Sequence, residues 1–408
     1  METIEKQVTV LMQGSEFGDQ QIKEMMTQEL RQRLTEASKE GRPLRVYCGY
    51  DVTAPDIHLG HTITMRKLRQ FQDFGHDVTF VIGTFTTLIG DPSDRDEERK
   101  VPLKDMIEKN SKTYTDQAFK ILDQEKTSVR FNGDWLSKLT FADVIHMASF
   151  FTVQQFLTRD RLRNRFESNQ PLSLRELLYP LAQGYDAVHL KTDIQIGATE
   201  QLFNLMACRR LQEAYGQKPQ VCITFPVLVG TDGVERMSKS RGNYIGVSEA
   251  PEVQYGKIMS IPDSLILQYF ELLTNISDKE LADFRQAMAG DAVNPMELKK
   301  RLAREIVTQL NGEKAAGEAE EHFEKVVQRK ELPEEIEEFQ LTADMPISRL
   351  LVEAGRVASR SEANRLIQQG AVSIDGRKFE NAAEIVARGT ATKGSIIKVG
   401  KRGYFKII

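Results

Sequence analysis

Three cysteines in 408 residues, Cys48, Cys208 and Cys222, are too few and too scattered for a disulfide framework, and their spacing matches no zinc site. That scarcity makes a reducing cytoplasm the default compartment. No apolar run approaches the roughly 20 residues that cross a bilayer, so no membrane association is expected. The opening, Met1-Glu2-Thr3-Ile4-Glu5-Lys6, is charged and lacks the basic-then-apolar layout of a secretory leader. No long repeat and no low-complexity tract interrupts the chain. These absences argue against a helical membrane protein and a disulfide-stapled secreted domain.

What remains is an ordinary globular composition, 40 % hydrophobic and 28 % charged, in a chain long enough for two or three domains. The net charge of −4 is unevenly spread. From Leu341 to Ile408 there are twelve Lys+Arg against six Asp+Glu, a surplus of +6 that leaves −10 for the rest. A basic tail on an acidic body points to a local polyanion contact.

The pattern from Leu44 to Asp51 predicts a buried strand, Gly60 to Phe74 a helix stopped by Gly75, and Val78 to Ile82 a second strand. Strand–helix–strand is the unit of a parallel sheet, in which ligands collect at the carboxyl ends of strands. Phe141 to about Gln183 reads as helical, broken by a polar piece from Arg159 to Asn169. Lys191 to Gln201 and Val221 to Gly230 read as further strand-plus-loop units, and Pro251 to about Lys330 as almost entirely helical. The acidic stretch from Glu331 to Glu338, with Pro333, reads as a linker.

Two segments carry chemistry. Asp56-Ile57-His58-Leu59-Gly60-His61 places two imidazoles around a glycine at the start of a helix, where unpaired backbone N–H groups attract phosphate. Gly60 leaves room for a base or ribose, and Thr53 on the preceding loop offers a hydroxyl. Much later, Arg236-Met237-Ser238-Lys239-Ser240 is a cationic loop flanked by Gly233 and Gly242, glycines that would let it move. Lys239 is a point charge on a flexible stem, suited to charge that shifts during phosphoryl displacement. A lone buried histidine is usually structural, and such a loop alone is ordinarily solvated surface. Both together, in this order, mark an enzyme that handles a nucleoside triphosphate.

These segments are similar to the HIGH and KMSKS signatures of class I aminoacyl-tRNA synthetases. From about Leu44 to the C-terminus the chain resembles the bacterial type of tyrosyl-tRNA synthetase. The resemblance implies an α/β architecture: a Rossmann-like parallel-sheet catalytic domain over 1–246 with a helical dimerisation insertion at about 141–175. An α-helical domain over 247–332, a linker over 333–344 and a small α+β S-four RNA-binding domain over 345–408 follow. It implies activation of L-tyrosine by ATP with Mg2+ as a substrate complex, no protein-bound metal, transfer to tRNA(Tyr), and a homodimer. Thr53, His58, His61 and Lys239 take the catalytic positions. Cys48, Gly49, Asp51, Gly60, Glu200, Ser238 and Lys239 take the ATP positions. Tyr47, Thr86, Asp91, Tyr179, Gln183, Asp186 and Gln201 take the tyrosine positions, with Tyr179, Gln183 and Asp186 on one helix face. Phenylalanine would leave Tyr47 and Asp186 buried without a partner, which is how the family's selectivity arises.

The chain departs from the family pattern in places. Leu59 replaces the usual isoleucine, Arg236 stands where lysine is usual, and Glu200 stands where aspartate is often found. Asp94 replaces a frequent glycine, and the charged continuation to Lys100 reads as a mobile loop near pyrophosphate. In the basic tail, Ser359 reads as a helix N-cap, and Arg356, Arg360, Arg365, Arg377 and Lys378 are the expected phosphate contacts to structured RNA. Other readings are a different nucleotidyl transferase, the tryptophan-specific cousin, and an inactive RNA-binding paralogue.

Overall fold

A computed structural model describes residues 3–93, 104–325, 337–391, 394–400 and 403–408. The charged run from Asp94 to Lys100 lies outside the described residues, as does most of the stretch from Glu331 to Glu338. The chain divides into two compact units, Met1–Ala316 and Gly317–Ile408.

The first unit is built on five parallel strands: β1 (Arg45–Tyr50), β2 (Asp77–Ile82), β3 (Thr127–Phe131), β4 (Ile194–Ala198) and β5 (Val221–Phe225). Their order is β3-β2-β1-β4-β5. Val46 of β1 lies opposite Val78 of β2 on one side and Ile194 of β4 on the other. The inner strands are apolar because helices cover both faces; every residue of β5 is buried. The order reverses between β1 and β4, and the crevice at their carboxyl ends is where such sheets bind ligands.

The helix after β1 is Leu59–Asp73. Its buried stripe of Leu59, Ile63, Leu68 and Phe71 packs it on the sheet, and Gly75, at φ 86°, ends it in a conformation glycine tolerates. The helix Leu174–Leu190 opens with a capping box of Ser173 and Glu176. The polar piece from Arg159 to Asn169 is not a break: Asp160–Glu167 is helical. Its Arg165 forms a buried ion pair with Glu176 at 2.8 Å, so charge that read as loop is internal. The run from Pro251 to Asn311 is helical as expected, and it falls in the same compact unit as the sheet. Strand β3 is a surprise to sequence reading, because it is an edge strand with little burial and no clean alternation.

In the second unit, two helices, Ile347–Glu353 and Arg360–Gln368, pack on a five-stranded sheet. The order of that sheet is Glu338–Phe339, Gly403–Ile407, Ile396–Val399, Val372–Ile374, Arg377–Lys378. Ile347, Leu350, Leu351, Ile397, Phe405 and Ile407 form its core. Ser359 caps the second helix by accepting from Glu362 N. Asp375 and Gly376, at φ 45° and 87°, make the two-residue hairpin that the Asp-Gly pair favours. Glu338–Phe339 lies inside the stretch read as linker, yet it pairs in parallel with the C-terminal strand.

Candidate active site at the β1–β4 crevice

His58 is the N-cap of the helix that leaves β1. Its Nδ1 accepts from Gly60 N at 3.2 Å, and the Nδ1 of His61 accepts from His58 N at 3.3 Å. Two backbone donors therefore assign both Nδ1 atoms as acceptors, and each neutral ring carries its proton on Nε2. Burial, with a smaller contribution from the Lys239 charge, pushes the His58 pKa down to about 2 and that of His61 to about 4. The rings sit 4.0 Å apart as two neutral N–H donors at a positive helix end. A Cβ on Gly60 would lie 3.0 Å from His58 Cε1, so the space the glycine opens is used first by the His58 ring.

The cationic loop is anchored beside this turn. Leu59 N donates to Ile245 O at 3.0 Å and Val247 N to Ile57 O at 2.9 Å, joining the histidine segment to the stretch after the loop through an isolated His58–Gly246 bridge. Met237 N donates to Leu228 O, and buried Asn243 accepts from Ser238 N at 2.8 Å while donating to Asp232 and to Arg236 O. Lys239 donates to the Asp56 carbonyl and lies 3.9 Å from its carboxylate, so its ammonium reaches the residue two before His58. Gly242, at φ 69°, supplies the left-handed turn that closes the loop. Gly233 serves close packing, because a Cβ there would sit 2.5 Å from Pro262 Cγ.

At the other end of the crevice the polar groups are buried. Asp186 accepts from Trp135 Nε1 at 2.8 Å and from Asn132 Nδ2 at 3.2 Å. Burial raises its pKa to about 7 against those two donors. Tyr47 is buried in the same apolar cluster as Trp135, and its hydroxyl lies 3.5 Å from Gln183 O. Gln183 Oε1 is buried and has no donor among the described residues. Tyr179 donates to Asp51 Oδ2 at 3.1 Å, and Thr86 to Asp51 Oδ1 at 2.7 Å. Asp51 thus joins the Tyr179 and Thr86 side of the site. Asp91 accepts from Ser93 N at 2.9 Å and from Gln201 and Asn204 at 3.3 Å each. Buried Cys48 lines the end of β1, and a Cβ on the neighbouring Gly49 would meet nothing within 4 Å. Thr53 is half-buried on the loop between them and His58. At the tip of β4, Glu200 pairs with Arg236 and with Arg161, each at 3.3 Å. Tyr179 and Thr86 thus meet at Asp51, Gln201 meets Asp91, and Lys239 reaches the turn that opens at Asp56.

Sequence reading missed Asn132, Trp135, Asn204, Asn243 and Arg161. Asn132-Gly133 is a turn signal that could have marked the end of β3 and the two donors to Asp186. The others carry no local signature. In the second unit, Arg360, Arg365, Arg377 and Lys378 are exposed. Arg377 also pairs with Glu384 at 2.5 Å, and Arg356 is half-buried, paired with Glu337 and stacked 5.5 Å over Phe405.

Residues 39–328 match the family described as tRNA synthetases class I (W and Y), and residues 328–407 match the tyrosine–tRNA ligase SYY-like C-terminal domain. The chain belongs to the class I tRNA synthetases of that family. The tyrosine–tRNA ligase of Carboxydothermus hydrogenoformans is 48 % identical over 387 residues, covering 93 % of this chain and 94 % of that one. The tyrosine–tRNA ligase of Thermotoga maritima is 46 % identical over 376 residues, covering 92 % and 93 %. Within the class, the chain is thus a member of the bacterial tyrosine–tRNA ligases. The fold is that of the tyrosyl-tRNA synthetase from Archaeoglobus fulgidus, solved with L-tyrosine, at TM-score 0.60 and 21 % identity over 78 % of this chain and 100 % of that one.

Proposed function

We infer that this protein catalyses the tyrosine–tRNA ligase reaction. A carboxylate oxygen of L-tyrosine attacks the α-phosphorus of ATP, and the bond from that phosphorus to the bridging oxygen breaks, releasing pyrophosphate. The terminal ribose hydroxyl of tRNA(Tyr) then takes the tyrosyl group, and AMP leaves. No side chain becomes a covalent nucleophile; the protein positions the reactants and stabilises developing charge.

The observation that carries this reading is the buried Gln183 Oε1, without a donor among the described residues and one turn from the buried carboxylate of Asp186. A tyrosine laid between them gives Gln183, Tyr179 and Asp91 its ammonium group, and gives Asp186 and Tyr47 its phenol. The carboxylate then points to the His58 turn. There the Nε2–H groups of His58 and His61, with Thr53 and Lys239, hold the phosphates. Cys48, Gly49, Gly60 and Ser238 border the nucleotide. Mg2+, held by phosphate oxygens and water, supplies charge neutralisation to the bound triphosphate.

The second unit contributes Arg360, Arg365, Arg377 and Lys378 as phosphate contacts for tRNA. Arg356 shares its charge with Glu337 and contributes less. The protein acts as a homodimer in the cytoplasm. Phe141, Ile145, Val153, Phe166 and Leu174 are exposed on the helices between 141 and 190, an apolar surface that a second copy covers. Pyrophosphate exchange with each standard amino acid tests the reading: exchange with tyrosine is expected, and exchange with tryptophan alone, or with none, overturns it. Removing Met345–Ile408 is expected to leave adenylate formation intact and abolish charging. Sedimentation at the monomer mass would reject the dimer.

A further inference from the structure

Glu200 and Arg236, 36 residues apart in the chain, touch each other in the fold. We infer that Glu200 is a positioning residue for the Arg236–Ser240 loop, fixed in turn by Arg161; this rests on the adenylate-forming reading above. Glu200 lies in the short turn Thr199–Gln201 at the tip of β4. One oxygen, Oε2, faces Arg236 Nη1 at 3.3 Å, and the other, Oε1, faces Arg161 Nη2 at 3.3 Å. Arg161 stands on the helix Asp160–Glu167, which the buried Arg165–Glu176 pair locks to the helix Leu174–Leu190.

A carboxylate engaged on both oxygens is set by its two cations, and it holds the start of the loop against the sheet. Three residues further on, the same loop delivers Lys239 to the Asp56–His58 turn. Arg236 also forms a β-bridge with Val229, and Lys239 follows three residues later, so movement at Arg236 carries along the chain to Lys239. Glutamate and arginine are both long side chains. An aspartate at 200 keeps the negative charge but stops one methylene short of the guanidinium.

That difference in reach tests the loop latch against a direct contact of Glu200 with ATP. With the full-length enzyme in tyrosine-dependent pyrophosphate exchange, Glu200→Asp and Glu200→Gln are both expected to raise KM for ATP about fivefold, with KM for tyrosine unchanged. Arg161→Gln is expected to give a smaller defect of the same kind. In the Glu200→Gln, Arg236→Gln double variant the effect is expected to be no larger than that of the worse single variant. An aspartate enzyme with wild-type KM for ATP, or defects that multiply in the double variant, would overturn the inference. Retained KM for tyrosine reports an intact site in every variant. A wild-type enzyme that shows no exchange with tyrosine would sink the proposed function instead.

Discussion

The indole Nε1 of Trp135 donates to Asp186 Oδ1 at 2.8 Å, tying the segment after the edge strand β3 to the middle of the helix Leu174–Leu190. This bond opposes burial, which raises the Asp186 pKa to about 7. The acid therefore titrates within the working range, and only its ionised form accepts a phenol O–H with full strength.

Tyrosine use should follow that titration. In wild type, kcat/KM for tyrosine is expected to rise as pH increases through about 7. Trp135→Phe removes a donor to the charged form, so the rising limb moves to higher pH. Asp186→Asn removes the limb and weakens tyrosine discrimination from phenylalanine. Exchange rates between pH 6 and 9 check this; an unchanged limb in Trp135→Phe counts against it. For stability the sign is opposite to that for activity. A carboxyl with a raised folded pKa favours the fold below its unfolded value near 4, and that contribution is lost as pH rises through about 7.

The histidine pair gives an opposite acid effect. Folded pKa values of about 2 and 4 lie below the ordinary 6.5, so the unfolded chain binds protons that the folded one refuses. Stability is full above 6.5 and falls as pH drops toward 4, by on the order of 2 kcal/mol per histidine at pH 5. His76, lowered to about 4, adds in the same direction. His61→Gln keeps an acceptor for His58 N, as in a capping box, and should flatten the loss between pH 7 and 5 in urea unfolding.

Gly83 follows β2, and a Cβ there would lie 2.4 Å from both Asp51 Oδ1 and Thr86 Oγ1. Gly83→Ala must separate that hydrogen-bonded pair. The expected cost is roughly 1–3 kcal/mol of stability, with at least a tenfold loss of exchange activity. Wild-type activity in this variant would mean the Asp51–Thr86 bond is unimportant.

Lys239→Ala is expected to lower kcat of exchange by about 10²- to 10³-fold while leaving tyrosine KM unchanged, because the ammonium acts on charge that develops in the transition state. A rise in tyrosine KM alone would place Lys239 in the wrong subsite.

Much of this was legible from local pattern. Leu44 to Asp51 and Val78 to Ile82 announced themselves by apolar runs, and they pair in parallel as β1 and β2. His58-Leu59-Gly60-His61 could be placed at a helix start because cap, glycine and apolar stripe agree over a few residues. Asp160–Glu167 and β3 escaped for the same reason in reverse. The first is held by Arg165 meeting Glu176 and the second by pairing with β2, neither of which is written in neighbouring residues.

By itself, then, the sequence determined the strand–helix alternation, the histidine turn at a helix start, the lysine loop and the helix that carries Tyr179, Gln183 and Asp186, since each depends on residues close together in the chain. Only the tertiary structure decided the burial of the histidine pair, the Trp135 and Asn132 donors to Asp186, and the Glu200 link between Arg161 and Arg236. Those depend on which side chains the reversal of strand order brings within hydrogen-bonding distance, and on how little water reaches them.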